Sequence, residues 1–217
     1  ELKLLMENHR LPHTMIFYGD DGLGKTTAAF DFSDFLTGAS EKIWVEIKKI
    51  KSSKNEKLLE NLKGDRVWYI RPMGMELKID QFRAFMEEMA SFDEKLRVCI
   101  IDDAQKMNQY AANSFLKTLE EPPKHAIFIL ATTEKHKIIP TILSRCQIYD
   151  FSRITIKDTV EHLQYVADQE HVQTEPEALN VLAQKADGGM RDALSIFDQV
   201  VSFTGGNITY NKIGRAS

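Results

Sequence analysis

Apolar residues recur along this chain in two rhythms. Four short continuous runs have the length and the β-branched or aromatic content of strands: Thr14-Met15-Ile16-Phe17-Tyr18, Val67-Trp68-Tyr69-Ile70, Val98-Cys99-Ile100-Ile101 and Ala126-Ile127-Phe128-Ile129-Leu130-Ala131. The third run, entered at Arg97, carries no polar alternation, which predicts a parallel strand covered on both faces. Between the runs the spacing changes to three and four. Thr27 to Leu36 is helical in pattern, and Ile79, Phe82, Met86 and Met89 draw one stripe. Ala112, Phe115, Leu116 and Leu119 draw another, with Asn108 placed to cap it and Pro122-Pro123 to end it near Glu121. Glu1 to His13 reads as a short helix that starts inside a pattern, as if upstream residues were missing. Pro140 opens a brief helix over Thr141 to Arg145, followed by a strand from Gln147 to Phe151. Strand and helix in turn predict an α/β fold, a parallel sheet with helices on both faces, whose ligand belongs at the carboxyl ends of the strands.

Past Phe151 only the helical rhythm remains. Thr155-Ile156-Lys157-Asp158 and Thr174-Glu175-Pro176-Glu177 both have the form of helix-start boxes, with an acid at the third helical position. The first helix should run to about Glu170 and the second to about Ala186. A third, opened by Met190-Arg191-Asp192-Ala193-Leu194-Ser195, should close at Gly205-Gly206. The expected organisation is an α/β domain over 1–151, which the loop from Gly19 to Thr26 makes the nucleotide-binding one, and a small all-helical, three-helix lid over 152–217.

The nucleotide enters through one loop. Gly19-Asp20-Asp21-Gly22-Leu23-Gly24-Lys25-Thr26 matches the Walker A pattern G-x-x-x-x-G-K-S/T of P-loop NTPases and lies between a strand and a helix. Gly19, Gly22 and Gly24 permit close backbone approach. The N–H groups around Leu23, Gly24, Lys25, Thr26 and Thr27 can then converge on phosphates at the positive end of the helix. Lys25 would pair with the β- and γ-phosphates of ATP, and the Thr26 hydroxyl would ligate Mg²⁺. An acid at the carboxyl end of a buried strand stands where a Walker B aspartate holds the same ion, which selects Asp102. Asp103 is the candidate base for an attacking water. Two acids can also merely end a strand and cap the turn after it.

Composition removes other classes. The chain has 217 residues, enough for one large or two small domains, and a formal net charge of −4, which argues against free-standing nucleic-acid binding through a basic surface. Cys99 and Cys146 are far apart and no C-x-x-C pair occurs, so neither a disulfide framework nor a zinc site is supported. No apolar run is long enough to span a bilayer and the start does not resemble a secretory signal; the expected location is cytoplasmic. Lys48, Lys49, Lys51, Lys54 and Lys57 fit either a basic contact face or, as charge runs usually do, a solvated surface or loop.

Ser114-Phe115-Leu116-Lys117-Thr118-Leu119-Glu120-Glu121-Pro122-Pro123, then Ala131-Thr132-Thr133 and Ser144-Arg145-Cys146, resemble the clamp-loader ATPases of bacterial DNA polymerase III, of the AAA+ class, and among them the gamma/tau subunit and its relative delta prime. The resemblance covers about Leu11 to Ile208. It implies that Thr133 serves as sensor 1 and that Arg145 is an arginine finger acting in trans on a neighbour's γ-phosphate. It also implies, through Gly188-Gly189-Met190-Arg191-Asp192-Ala193-Leu194-Ser195, that Arg191 is sensor 2. Read without it, Arg145 and Arg191 would be surface residues in local bonds or ion pairs. The implied function is ATP-driven opening of the sliding clamp and its loading onto primed DNA, with other clamp-loader subunits as partners; the alternative is a non-hydrolysing scaffold like delta prime. The chain departs from the family in three places. Thr37 to Gly64 has no cysteine where a four-cysteine zinc module usually sits, Asp103 replaces the usual glutamate, and the chain stops where a collar domain should come next.

Overall fold

The computed structural model describes residues 11–38, 66–72, 75–77 and 95–213. The readings of a helix over Glu1 to His13, of the lysine-rich stretch and of the stripe Ile79, Phe82, Met86 and Met89 fall wholly or mainly outside them. Two compact units emerge. One joins the residues up to Tyr18 with Lys25–Asp150; the other joins Gly19–Gly24 with Phe151–Ser217.

The first unit is a five-stranded sheet: β1 (Thr14–Tyr18), β2 (Val67–Ile70), β3 (Arg97–Ile101), β4 (Ala126–Thr132) and β5 (Gln147–Asp150), in the order β2-β3-β4-β1-β5. Every pairing is parallel. The register sets Ile70 beside Ile101, Ile101 beside Leu130, and Tyr18 between Thr132 and Asp150. Asp102 and Thr133 therefore leave their strands on one edge of the sheet. All residues of β2, β3 and β4 are buried, as continuous apolar runs require.

Side-chain alternation divides these strands between two layers. Ile16, Trp68, Ile70, Cys99, Ile101, Phe128 and Leu130 pack with Ala111, Ala112, Phe115 and Leu119 of helix α2 (Gln109–Glu120). Phe115 meets Phe128 edge-to-face at 5.2 Å between ring centroids. Tyr69, one residue out of phase with Trp68 and Ile70, turns to the other face, where its ring lies 5.1 Å from Phe30 of α1 (Lys25–Thr37). Asn108 caps α2, its Oδ1 accepting from the Ala111 N–H at 2.9 Å. The brief helix α3 covers Pro140–Leu143, and β5 ends one residue before Phe151.

The second unit holds α4 (Ile156–Gln169), α5 (Pro176–Lys185) and α6 (Met190–Thr204) around Leu163, Ala167, Leu179, Leu182, Ala193, Phe197 and Ile208. Thr155 caps α4 as its box predicts: its Oγ1 accepts from the Asp158 N–H at 3.1 Å and donates to Asp158 Oδ2 at 2.7 Å. The second box does not form. Thr174 lies in a two-residue strand, β6 (Gln173–Thr174), parallel to β7 (Asn207–Ile208). Glu175 takes the N-cap position of α5 without a side-chain cap, because its carboxylate accepts instead from the Tyr210 N–H at 2.9 Å. The expectation of three helices alone is thus amended by this strand pair and by a fourth, four-residue helix, α7 (Tyr210–Ile213). Gly205 closes α6 in the left-handed region, as the double glycine suggests.

Candidate nucleotide site

The carboxyl edge of the sheet gathers polar groups around Asp102. Thr26, in the first turn of α1, donates from Oγ1 to Asp102 Oδ1 at 3.1 Å. The Tyr69 hydroxyl donates to Asp102 Oδ2, and the Asp103 N–H reaches Oδ1 at 3.2 Å. Burial first, then the Asp102 charge and the hydrogen bond to it, push the Tyr69 phenol far above its ordinary range, so it stays a donor. Two hard oxygens from Thr26 and Asp102 thus meet at one point, the donor set Mg²⁺ prefers. No group of three or more His, Cys, Asp or Glu among the described residues is arranged to hold a metal. An ion at Thr26 and Asp102 would keep open positions for phosphate and water, as Mg²⁺ sites do.

Beside it lies a second network. Asp103 sits in the left-handed region at φ 51°, a strained position for a residue with a Cβ, at the entry to a single 3₁₀ turn over Ala104–Lys106. Gln105 joins the candidate base to the end of β4: its Nε2 donates to Asp103 Oδ1 at 3.1 Å and toward Thr133 Oγ1 at 3.4 Å, while its Oε1 accepts from Thr132 Oγ1 at 2.7 Å. Lys106 Nζ lies 2.8 Å from the other Asp103 oxygen. Asp103 and Thr133 are thereby brought together through a residue the sequence reading did not name. Sequence offered no signal that singled it out, since Asp102, Asp103 and Lys106 are polar in the same short stretch. Tyr69 was likewise missed; a hydroxyl inside an otherwise apolar four-residue strand was the clue.

Lys25 is buried at the start of α1, Thr26 is half-buried and Thr27 is exposed. The rest of the Walker A loop groups with the second unit. A Cβ on Gly19 would come within 2.5 Å of the Phe151 carbonyl oxygen, which no side chain tolerates. Gly22, at φ 76°, presses on Arg191, and its carbonyl accepts from the N–H groups of Met190 at 3.1 Å and Arg191 at 3.5 Å. Its need for glycine comes from the approach of α6 as much as from any phosphate. Leu23 is buried, while a Cβ at Gly24 would meet no described atom within 4 Å, leaving that backbone open to a ligand. Arg191 Nη1 bonds Asp21 Oδ2 at 2.7 Å. Arg153 bridges Asp20 Oδ2, at 3.2 Å from its Nε, to Asp187 through its Nη1. Arg145 makes its bonds elsewhere, to the Thr141 carbonyl at 2.8 Å and to Glu120 at 3.5 Å.

The family model described as DNA polymerase III, delta subunit, matches residues 1–155, and that of the DNA polymerase III clamp loader subunit, ATPase lid domain, matches residues 158–206. The chain belongs to the DNA polymerase III clamp-loader family. Among curated relatives, this clamp-loader chain is 38% identical over 201 residues to DNA polymerase III subunit tau of Bacillus subtilis, covering 90% of this chain and 34% of that protein. It is 29% identical over 208 residues to the tau subunit of Escherichia coli, covering 92% and 31%. The chain therefore spans about a third of the length of these relatives. In fold it is similar to the RuvB Holliday junction branch migration motor of Thermotoga maritima, with TM-score 0.69 and 18% identity over 99% of this chain and 64% of that one. It is also similar to a DNA polymerase III gamma subunit-related protein of the same organism, with TM-score 0.59 and 20% identity over 91% and 57%. The P-loop, AAA+ parallel sheet followed by a helical lid is the architecture these matches share with the clamp-loader chain. No helix among the described residues is long and apolar enough to cross a membrane.

Proposed function

We propose that this chain is an ATP-binding and hydrolysing subunit of the clamp loader, working with other clamp-loader subunits to open the sliding clamp and load it onto primed DNA. The observation that carries the reading is the bond between Thr26 and Asp102, which joins the end of the Walker A motif to the end of the strand that should bear Walker B. The residues divide into a nucleotide-binding part over 1–151 and a lid beyond it. Backbone N–H groups from Gly19 to Thr27 and the Lys25 ammonium would hold the triphosphate. Thr26 and Asp102 would hold Mg²⁺, which when bound neutralises charge developing on the phosphates. Asp103 would take the proton of the attacking water, with Thr133 orienting it through Gln105. Arg191 would contact the phosphates from the lid side. Arg145, kept near the surface by Thr141 and Glu120, would serve a neighbouring subunit.

A second reading, a non-hydrolysing scaffold that donates Arg145 and keeps a relic site, draws on the state of Asp103. Its side chain is one methylene shorter than the family's glutamate, and both oxygens are already engaged by Gln105 and Lys106. Measuring ATP affinity and turnover, alone and with partner subunits, clamp and primed DNA, separates the two. The motor predicts micromolar ATP binding, about −8 kcal/mol, abolished by Lys25→Ala. It also predicts very slow turnover alone, because a trans arginine contributes about 10³–10⁵ in rate. Binding without any stimulated turnover would select the scaffold, and no binding would remove the motor.

A further inference from the structure

The Walker A loop of this chain carries two acids, Asp20 and Asp21, in the stretch expected to face a polyanion. Bare carboxylates there would repel phosphate. Each is instead paired with an arginine: Asp20 with Arg153, and Asp21 with Arg191. The second pair is built into the backbone on both sides. Asp21 Oδ1 accepts from the Gly22 N–H at 2.9 Å, freeing Oδ2 for Arg191, while the Gly22 carbonyl takes the N–H groups of Met190 and Arg191. The guanidinium is thereby held against the loop by the protein's own groups.

We propose that Asp21 is an internal stand-in for phosphate: it holds Arg191 beside the loop, and a nucleoside triphosphate binds by taking that arginine from it. The inference rests on the reading that this loop binds ATP. The exchange is energetically easy in both directions. The Arg191 and Asp21 side chains are 62% and 76% exposed, so their pair is a weak surface ion pair, and Asp21 regains water when it is released. The charges also match. Two loop acids face two arginines, and a triphosphate can displace one carboxylate by presenting several oxygens to the same guanidinium. The consequence is a site whose ATP affinity is held below what Arg191 alone would give, and whose sensor arginine is already ordered when the ligand arrives.

A double-mutant cycle on the 217-residue chain tests this, with ATP affinity measured for wild type, Asp21→Asn, Arg191→Ala and both together. Asparagine keeps the acceptor for the Gly22 N–H and removes the charge; Asp21→Ser is the second variant and should act in the same direction. The exchange predicts that Asp21→Asn tightens ATP binding about two- to fivefold at low salt, the size expected on losing an exposed ion pair, and less at high salt. It further predicts that this gain is larger with Arg191 present than in Arg191→Ala. If Asp21 merely repels phosphate, the order reverses, because the acid has lost its counter-ion in Arg191→Ala; that result overturns the proposal. So does an unchanged or weakened affinity in both Asp21 variants while wild type binds ATP, and in that case the nucleotide reading stands. Failure of wild type itself to bind ATP sinks the nucleotide reading and the exchange with it.

Discussion

At the scale of single residues, the carboxyl edge of the sheet is a chain of donors and acceptors in which each group fixes its neighbour. Gln105 matters most, since one amide touches the candidate base, Thr132 and Thr133 at once. Within the proposed ATPase, Gln105→Ala should leave KM for ATP nearly unchanged and lower kcat in the full assembly by up to about a hundredfold, the effect of misplacing a reacting group by about an ångström. A parallel loss of ATP binding would place Gln105 in the nucleotide grip instead. The Walker A match and the acid after β3 were legible because they are local patterns. The Gln105 bridge was not, because it depends on where β4 ends relative to β3, and that is a matter of register rather than of spacing.

At the scale of elements, two boxes of the same form had different fates. Thr155 caps α4, its hydroxyl bonding both the N–H and the carboxylate of Asp158, and Thr155→Ala should cost about 1 kcal/mol, read as a lower urea midpoint for the second unit. Thr174 was equally well placed by sequence, yet its backbone pairs with Ile208 and its hydroxyl donates to Gln164 Oε1 at 3.2 Å. Strand pairing across more than thirty residues overrode a local helix-start preference. The apolar stripe of α2, by contrast, translated directly: Phe115 and Leu119 are buried against the sheet. Its periodicity reports burial of one face, which any packed helix must satisfy.

At the scale of the whole molecule, both cysteines report the integrity of the fold. Burial pushes the Cys146 thiol up to about 12 from an ordinary value of 9.0, and Cys99, wholly enclosed in β3, higher still. The folded chain holds these protons more tightly than the unfolded one. The stability they contribute is therefore complete below pH 9 and drains away as pH rises from about 9 toward 12. Urea midpoints followed from pH 7 to 10 should stay level and then fall, and Cys99→Ala should flatten the fall. An unchanged slope in that variant would assign the alkaline loss to other groups.

Periodicity alone determined that strands and helices alternate and then give way mainly to helices, though not the short β6–β7 pair among them, and one eight-residue match supplied the loop that makes a nucleotide the expected ligand. These are readable from sequence because they are imposed by neighbours along the chain: the pleat, the helical turn, the glycines of a tight bend. Tertiary structure decided that Thr26 and Asp102 share a bond, that Tyr69 and Gln105 belong beside them, and that Asp21 holds Arg191 from 170 residues away. Those facts come from strand order, register and the seat of a loop against a distant helix, which depend on contacts between residues that sequence proximity does not relate.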